Sequence, residues 1–436
     1  MGKSSRRRRA AQQTGPGPGA ALVARRAAGE QPTAAEIADA IVAAATEAAQ
    51  RGARAKTPRG DVAVARRFAT DLAQNGSLTP EIESGVRQAG QRVVTRAFTD
   101  GWLPADLQRV ADRRTDEFAT AFLIDVIAAY AQPYPADAVD ETWREQLAAL
   151  GAHVWWNEQS PHLAQWAARH LLTPVEAITA VVAALALLLL LPKLELIRPL
   201  PGAALPAAAH RHLDAKVLGR VRGLLAKAES TSYPEEAETL SAKAQELMTK
   251  YALDRALLGA AAREPDLPGA QRLWLDTPYL DAKALLIDVV AAANRCRAIF
   301  AAQWGFVTVV GEPADLDAVE LLSTSLLVQA TRAMIASGNA ELRSEDARTR
   351  DYRKAFLVAY ATRIGERLET AAATVADTVD RERLLPVLAS RQLAVDAAFE
   401  NLFPRSRNRG ITIRSADGWD AGRSAADRAH LHGPEN

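Results

Sequence analysis

The sequence predicts a mainly α protein: a helical N-terminal domain, a helical hairpin, and an α+β C-terminal domain with a small β-hairpin sheet. Three observations predict it. The chain is rich in alanine and leucine, which head the helix-propensity ranking, and is 48% hydrophobic and 24% charged. Helix start signals recur ahead of apolar stretches of helical period. One short region, RAIFA and FVTVV separated by AQWG, has the β-branched and aromatic content of two paired strands. At 436 residues the chain has room for two or three domains, each with its own core.

The chain opens on a basic tail. Lys3, Arg6, Arg7, Arg8, Arg9, Arg25 and Arg26 meet no acid as far as residue 26, so this stretch carries +7 within a net charge of +1. With GPGPG at 15–19 and no apolar period, residues 1–30 read as disordered. Such an arginine run reads either as a solubilising arm or as one that holds phosphates without sequence preference. No apolar segment follows the basic start, so no signal peptide is expected. A single cysteine, Cys296, excludes an internal disulfide framework and any multi-cysteine metal centre, and fits a cytoplasmic setting.

Residues 31–198 read as successive helices. Thr33 with Glu36 forms a capping box, and Thr57-Pro58, Thr79-Pro80 and Ser160-Pro161 are cap-plus-proline starts. GWLPADLQRV at 101–110 reads as a tight turn into one long helix reaching about Ala131. The stretch VEAITAVVAALALLLLL at 175–191 is almost wholly apolar. It spans about 25 Å against a bilayer core of about 30 Å. Thr173, Pro174 and Glu176 cap its start and Pro192 stops it, so it is expected as the central buried helix of this domain. Trp102, Trp143, Trp155, Trp156 and Trp166 are expected in the core. Residues 199–213, rich in proline and alanine, read as a linker.

The helical hairpin occupies 214–260. Leu218, Val221, Leu225 and Ala228 form one apolar stripe, and Ala237, Leu240, Ala244, Leu247 and Tyr251 form another. Ser232 with Glu235 caps the second helix, and Pro234 sits in its first turn. On the first helix Lys216, Arg220 and Lys227 share a row with Gly223, which reads either as a line where a phosphate backbone meets no projecting side chain or as a solvated basic face balanced by Glu235, Glu236, Glu238 and Glu246 on the neighbouring helix. The phrases LLAKAEST, EAE at 236–238 and KAQELMTKYAL at 243–253 closely resemble the family known as domain of unknown function 2786. The following α-β-β-α segment, the aromatic helix at 352–368 and the glycine-spaced helix DGWDAGRSAAD resemble that family's usual continuation. Gly101 to Leu107 matches a turn found in its longer members. The resemblance implies a fold and no reaction.

The C-terminal domain, 270–436, is expected to hold a helix at 278–295, strands at 297–301 and 306–310 turning at Gly305, and helices to about Ser337, at 344–378 and at 381–400. A short strand, ITIR, and a small-residue helix near 416–430 follow. Gly418 and Gly422 point to close helix packing there. On the long helix Arg353, Phe356, Tyr360, Arg363 and Arg367 recur at helical spacing, an arrangement able to stack bases and hold phosphates, or to flank an apolar row with arginine stems.

The remaining candidates for chemistry are sparse. The histidines are His153, His162, His170, His210, His212, His430 and His432, with no HExxH among them. His210 and His212 read as surface linker residues, and neither a metal site nor a cofactor is predicted. Cys296, beside Arg295 and Arg297, reads as a buried structural thiol. No reactive cluster is expected to assemble. The function expected is that of a non-catalytic intracellular binding or scaffold protein. Its contact with nucleic acid would run through Arg6, Arg7, Arg8 and Arg9, the Lys216-Arg220-Lys227 row and the Arg353-Arg363-Arg367 row. The competing expectation is a hydrolase with its site in the C-terminal domain.

Overall fold

The structure, a computed structural model, describes residues 17–55, 61–73, 76–204, 215–230, 240, 243–251, 267–340, 350–376, 381–404 and 416–428. The protein is mainly α with a small antiparallel sheet in its C-terminal region. It divides into two compact units, Met1–Leu205 and Pro206–Asn436.

The N-terminal unit contains α1 (Pro18–Ala27), α2 (Ala34–Arg54), α3 (Val62–Leu72), α4 (Pro80–Thr99), α5 (Pro104–Arg114) and α6 (Glu117–Ala131). A short turn at Ala136–Ala138, α7 (Glu141–Ala149), α8 (His162–Arg169) and α9 (Pro174–Leu189) complete it. Both capping boxes form, at Thr33 with Glu36 and at Thr173 with Glu176. Thr79 Oγ1 accepts from Ile82 N at the start of α4. Thr57-Pro58 lies outside the described residues, and α3 is capped by Asp61, whose carboxylate accepts from Ala63 N at 3.0 Å. α9 is the central buried helix: it packs against α2, α3, α4, α5, α6 and α8 and buries Val181, Val182, Leu185 and Leu188. Among the described residues no single helix is long and apolar enough to cross a membrane.

Three expectations for this unit are corrected. Within the stretch read as a disordered tail, α1 forms and buries Leu22. Its arginines have internal acceptors: Arg25 pairs with Glu30 and Glu36 at 2.8 and 2.6 Å, and Arg26 donates to the Leu72 carbonyl at 2.8 Å. Charge without apolar period argued for disorder, but Leu22 is buried and the neighbouring elements offer acceptors for both arginines. Residues 1–16 lie outside the described residues. The single helix expected from Pro104 to Ala131 breaks at Thr115-Asp116, because Thr115 is extended and the Asp116 carboxylate caps α6 through Ala119 N at 2.8 Å. Of the five tryptophans, Trp102, Trp143 and Trp166 are core, whereas Trp155 and Trp156 are half-buried in the loop before α8.

The C-terminal unit contains α10 (Ala215–Ser230), helical residues 243–251, β1 (Gly269–Trp274), α11 (Leu280–Ala293), β2 (Arg297–Ala301) and β3 (Phe306–Gly311). It continues with α12 (Pro313–Ala340), α13 (Arg350–Ala376), α14 (Arg381–Leu402) and α15 (Ala416–Arg428). β2 and β3 form the expected hairpin, in register from Ala301 opposite Phe306 to Arg297 opposite Val310, and Gly305 takes φ +80° in the turn. The sheet is larger than a hairpin. β1 pairs antiparallel with the other edge of β3, Trp274 opposite Phe306 and Gly269 opposite Gly311, in the order β1-β3-β2. GAQRLW has no β-branched residue; the open edge of the wholly buried β3 recruits it.

The hairpin and the α+β part share one core. Val221, Leu225, Ala244 and Met248 pack in the same cluster as Ile287, Val309, Phe356 and Tyr360. Gln245, buried, donates to Asn294 Oδ1 at 3.2 Å and so ties the hairpin to the end of α11. The Leu218 side chain, Ala237, the Ser232–Glu235 cap and ITIR lie outside the described residues. α13 is buried along Tyr352, Phe356, Tyr360, Ile364 and Leu368, and α15 lies across it. Gly418 and Gly422 allow that approach, since a Cβ at either would overlap the carbonyl oxygen of Tyr352 or of Phe356. Gly422→Ala is therefore expected to destabilise the protein by about 1–3 kcal/mol despite alanine's better helix propensity. A urea titration checks this, and an unchanged midpoint contradicts the close packing.

Candidate functional site

The exposed face of α10 is the candidate interface. Val221, Leu225 and Ala228 turn inward and are buried, while Lys216, Arg220 and Lys227 are exposed. Arg222 is exposed as well, and the helix has one acid, Glu229. At about 100° per residue, Lys216, Gly219, Arg220, Gly223 and Lys227 fall within an arc of about 100°. A Cβ at Gly219 or Gly223 would meet nothing within 4 Å, so the helix backbone is bare between the cations. Each interior glycine costs a helix about 0.5–1 kcal/mol relative to alanine. On the helical residues 243–251, Lys243 pairs with Glu246 at 2.8 Å.

The arginine row of α13 separates into two kinds. Arg353 is exposed at the start of the helix. Arg363 and Arg367 instead have internal partners. Arg363 pairs with Glu366 at 2.7 Å and with Asp427. Arg367 is 6% exposed and donates to the Ala426 and Asp427 carbonyls at the end of α15. A guanidinium there satisfies carbonyls that have no partner within the helix and meets the negative end of its dipole. Arg423 of α15 returns the contact, reaching Glu366 at 3.1 Å. Hydrogen bonds from Arg363 and then Arg423 hold the Glu366 carboxyl below its ordinary value. These residues fasten α15 to α13. Arg6, Arg7, Arg8 and Arg9 lie outside the described residues.

Cys296 is buried at 4% exposure, its Sγ against the Asn294 carbonyl at 3.4 Å. Burial, and next the charge of Asp315, push its thiol well above the ordinary value. Arg295, the neighbour able to lower it, directs its guanidinium to Asp315 at 2.5 and 3.2 Å. Among the described residues no group of three or more His, Cys, Asp or Glu side chains is placed to hold a metal. The described part of the C-terminal unit contains no histidine; His210, His212, His430 and His432 lie outside it. His153 is exposed, and His170 packs edgewise on Phe118 and against Trp166.

His162 is the centre of a polar cluster in the N-terminal unit. Its Nε2 lies 2.8 Å from Asp125 Oδ2 on α6, and its ring packs 4.2 Å from that of Trp156. Trp155 Nε1 donates to the other oxygen of Asp125 at 2.9 Å. Glu83 of α4 supplies the cap that Ser160 was expected to give α8, accepting from Leu163 N and Ala164 N at 2.9 and 2.8 Å. Burial raises the Glu83 carboxyl above its ordinary value against the opposing effect of those bonds. The sequence held one signal for this group: Asp125 is the lone acid past the first turn of an otherwise apolar helix.

Residues 216–255, which include most of α10 and the helical residues 243–251, match the family model described as "Protein of unknown function (DUF2786)". The likeness covers this segment alone. It bears out the resemblance read from LLAKAEST and KAQELMTKYAL, and the segment contains the whole Lys216-Arg220-Lys227 row. No match to the chain was found among curated proteins or solved structures.

Two outcomes follow from this chemistry. Cys296 is expected to resist iodoacetamide in the folded protein and to react on unfolding, as mass spectrometry of the labelled chain would show; rapid native labelling contradicts its burial. Glu366 titrates below its unfolded value of about 4.3, so its contribution is present above that pH and is lost as pH falls through the lower folded value. Acid should loosen α15 in hydrogen exchange, and Glu366→Gln should remove that part of the pH dependence.

Proposed function

We propose that this chain is a non-catalytic nucleic-acid-binding protein of the cytoplasm, with the exposed face of α10 as its main contact surface. The observation that carries the reading is the alternation on that face: Lys216, Arg220 and Lys227 stand out from a backbone left open at Gly219 and Gly223. Cations spaced about one and about two helical turns apart neutralise nearby phosphates and release their counterions, and that release supplies most of the affinity in sequence-independent binding. Bare backbone between them lets the phosphate chain approach closely. Arg353 and the run Arg6 to Arg9 supply further cations. These groups read phosphate and carry no base information, so the affinity is largely independent of sequence. The competing reading, a hydrolase in the C-terminal part, draws no support from the described residues there: Cys296 is buried and no histidine accompanies it.

Fluorescence anisotropy with labelled duplex and single-stranded oligonucleotides tests this. The full chain should bind at about 50 mM salt and lose affinity steeply by about 200 mM. Replacing Lys216, Arg220 and Lys227 together by alanine should reduce the logarithmic salt slope by about 2–3, at about 0.9 per phosphate contact. Gly223→Ala should weaken binding while stabilising the fold by about 0.5–1 kcal/mol, since its methyl group stands in the path of the phosphate and touches nothing else. Absence of binding at about 50 mM salt disproves the reading.

A further inference from the structure

The N-terminal unit holds a cleft of about 490 Å³ between α4, α6 and the loop that leads into α8. This is within the usual range of about 300–1,000 Å³ for small-molecule sites. Gln165 makes four of the hydrogen bonds that hold the loop. Gln165 Nε2 donates to the carbonyls of Asn157, Ser160 and Pro161 at 3.0, 3.1 and 3.2 Å, and its Oε1 accepts from Asn157 N at 3.0 Å. Glu83 pins the start of α8 to α4. The wall carrying Trp156 and His162 is thus fixed without a ligand.

The polar groups around the cleft divide by whether their bonds are already made. Asp125, 6% exposed, accepts from Trp155 Nε1 and faces His162 Nε2. A carboxylate only accepts, so Nε2 is the protonated nitrogen of that pair and Nδ1 is the ring's remaining polar atom. No described residue bonds to Nδ1, and the side chain is 20% exposed. Glu83 is occupied by two backbone N–H groups and Glu158 by Gln132. Arg87 lines the same cleft, is exposed, and has no ion pair to a described residue; its one bond is a long 3.5 Å contact to Ser84 Oγ. Every carboxylate of the cleft is engaged, while a guanidinium and an imidazole nitrogen remain open. A ligand that completes this set brings an acidic oxygen. The other walls, Phe122, Val126, Trp156 and Pro161, are apolar and partly aromatic, which suits a flat ring.

We propose that this cleft binds a small aromatic acid. Its ring packs against Trp156 and Phe122, and its acidic group shares one proton with His162 Nδ1 and faces the Arg87 guanidinium. Asp125 is a positioning residue: it fixes which nitrogen of the imidazole meets the ligand. The site is independent of the basic face of α10, which belongs to the other unit.

Calorimetric titration of the full chain with naphthoate, and with neutral naphthamide as its matched control, tests the inference. Naphthoate should bind with a dissociation constant below about 1 mM. Naphthamide should bind at least about tenfold more weakly, the usual worth of a charge-assisted hydrogen bond. Arg87→Ala and His162→Gln should each weaken naphthoate about tenfold and leave naphthamide nearly unchanged. Arg87 is exposed, so its variant retains the fold and decides the matter if His162→Gln does not fold. Equal affinity for acid and amide, wild-type affinity in Arg87→Ala, or no saturable binding of naphthoate overturns the proposal.

Discussion

Helix α9 has no polar face, and the N-terminal unit is the consequence. After Glu176 in its first turn, α9 has no charged residue, so it is stable in water only when enclosed. Each large aliphatic side chain it buries is worth about 1.5–3 kcal/mol. Enclosure takes neighbours on all sides, and α2, α3, α4, α5, α6 and α8 supply them. Because α4 and α6 are both held by this demand, their outward faces have a fixed separation. The loop into α8 closes the remaining side, and Glu83 and Gln165 fasten it with hydrogen bonds to backbone. The cleft around His162 is therefore a product of how the core is filled.

The C-terminal unit obeys a similar rule with different parts. β3 is buried along its whole length, which requires a strand on each edge and helices over it. The same demand draws GAQRLW into the sheet and brings the family hairpin onto the core through Val221, Leu225, Ala244 and Met248. Where the hairpin buries these residues, its opposite face must lie in water, and Lys216, Arg220 and Lys227 occupy it. Exposure of that row follows from amphipathic packing. Binding needs more than exposure, and the open glycines on the same face are the additional feature.

Arginine residues that look alike in the sequence have different fates. Arg353, Arg363 and Arg367 lie on one helix within one row, yet of the three only Arg353 stays exposed. Arg363 and Arg367 meet the carboxylates and terminal carbonyls of α15, a helix that follows α13 only after a further helix. Arg25 and Arg26 show the same behaviour at the other end of the chain, where nearby acceptors turn a basic stretch into an ordered helix. A guanidinium buried or half-buried beside an acceptor gains hydrogen bonds that offset its desolvation, so geometry decides whether it stays in water.

The sequence by itself determined the helical class, the capped starts at Thr33, Thr79 and Thr173, the burial of 175–191, the β2–β3 turn at Gly305 and the family hairpin. Each depends on residues within a turn or two of one another, and local propensity, capping and period act over that range. Only the tertiary structure decided the third strand, the break at Asp116, the internal use of Arg363 and Arg367, and the meeting of His162 with Asp125. These rest on contacts between residues far apart in the chain, such as the imidazole of α8 and the carboxylate of α6. Such contacts leave no periodic trace, because a packed core sets the distance across it and the spacing along the chain does not.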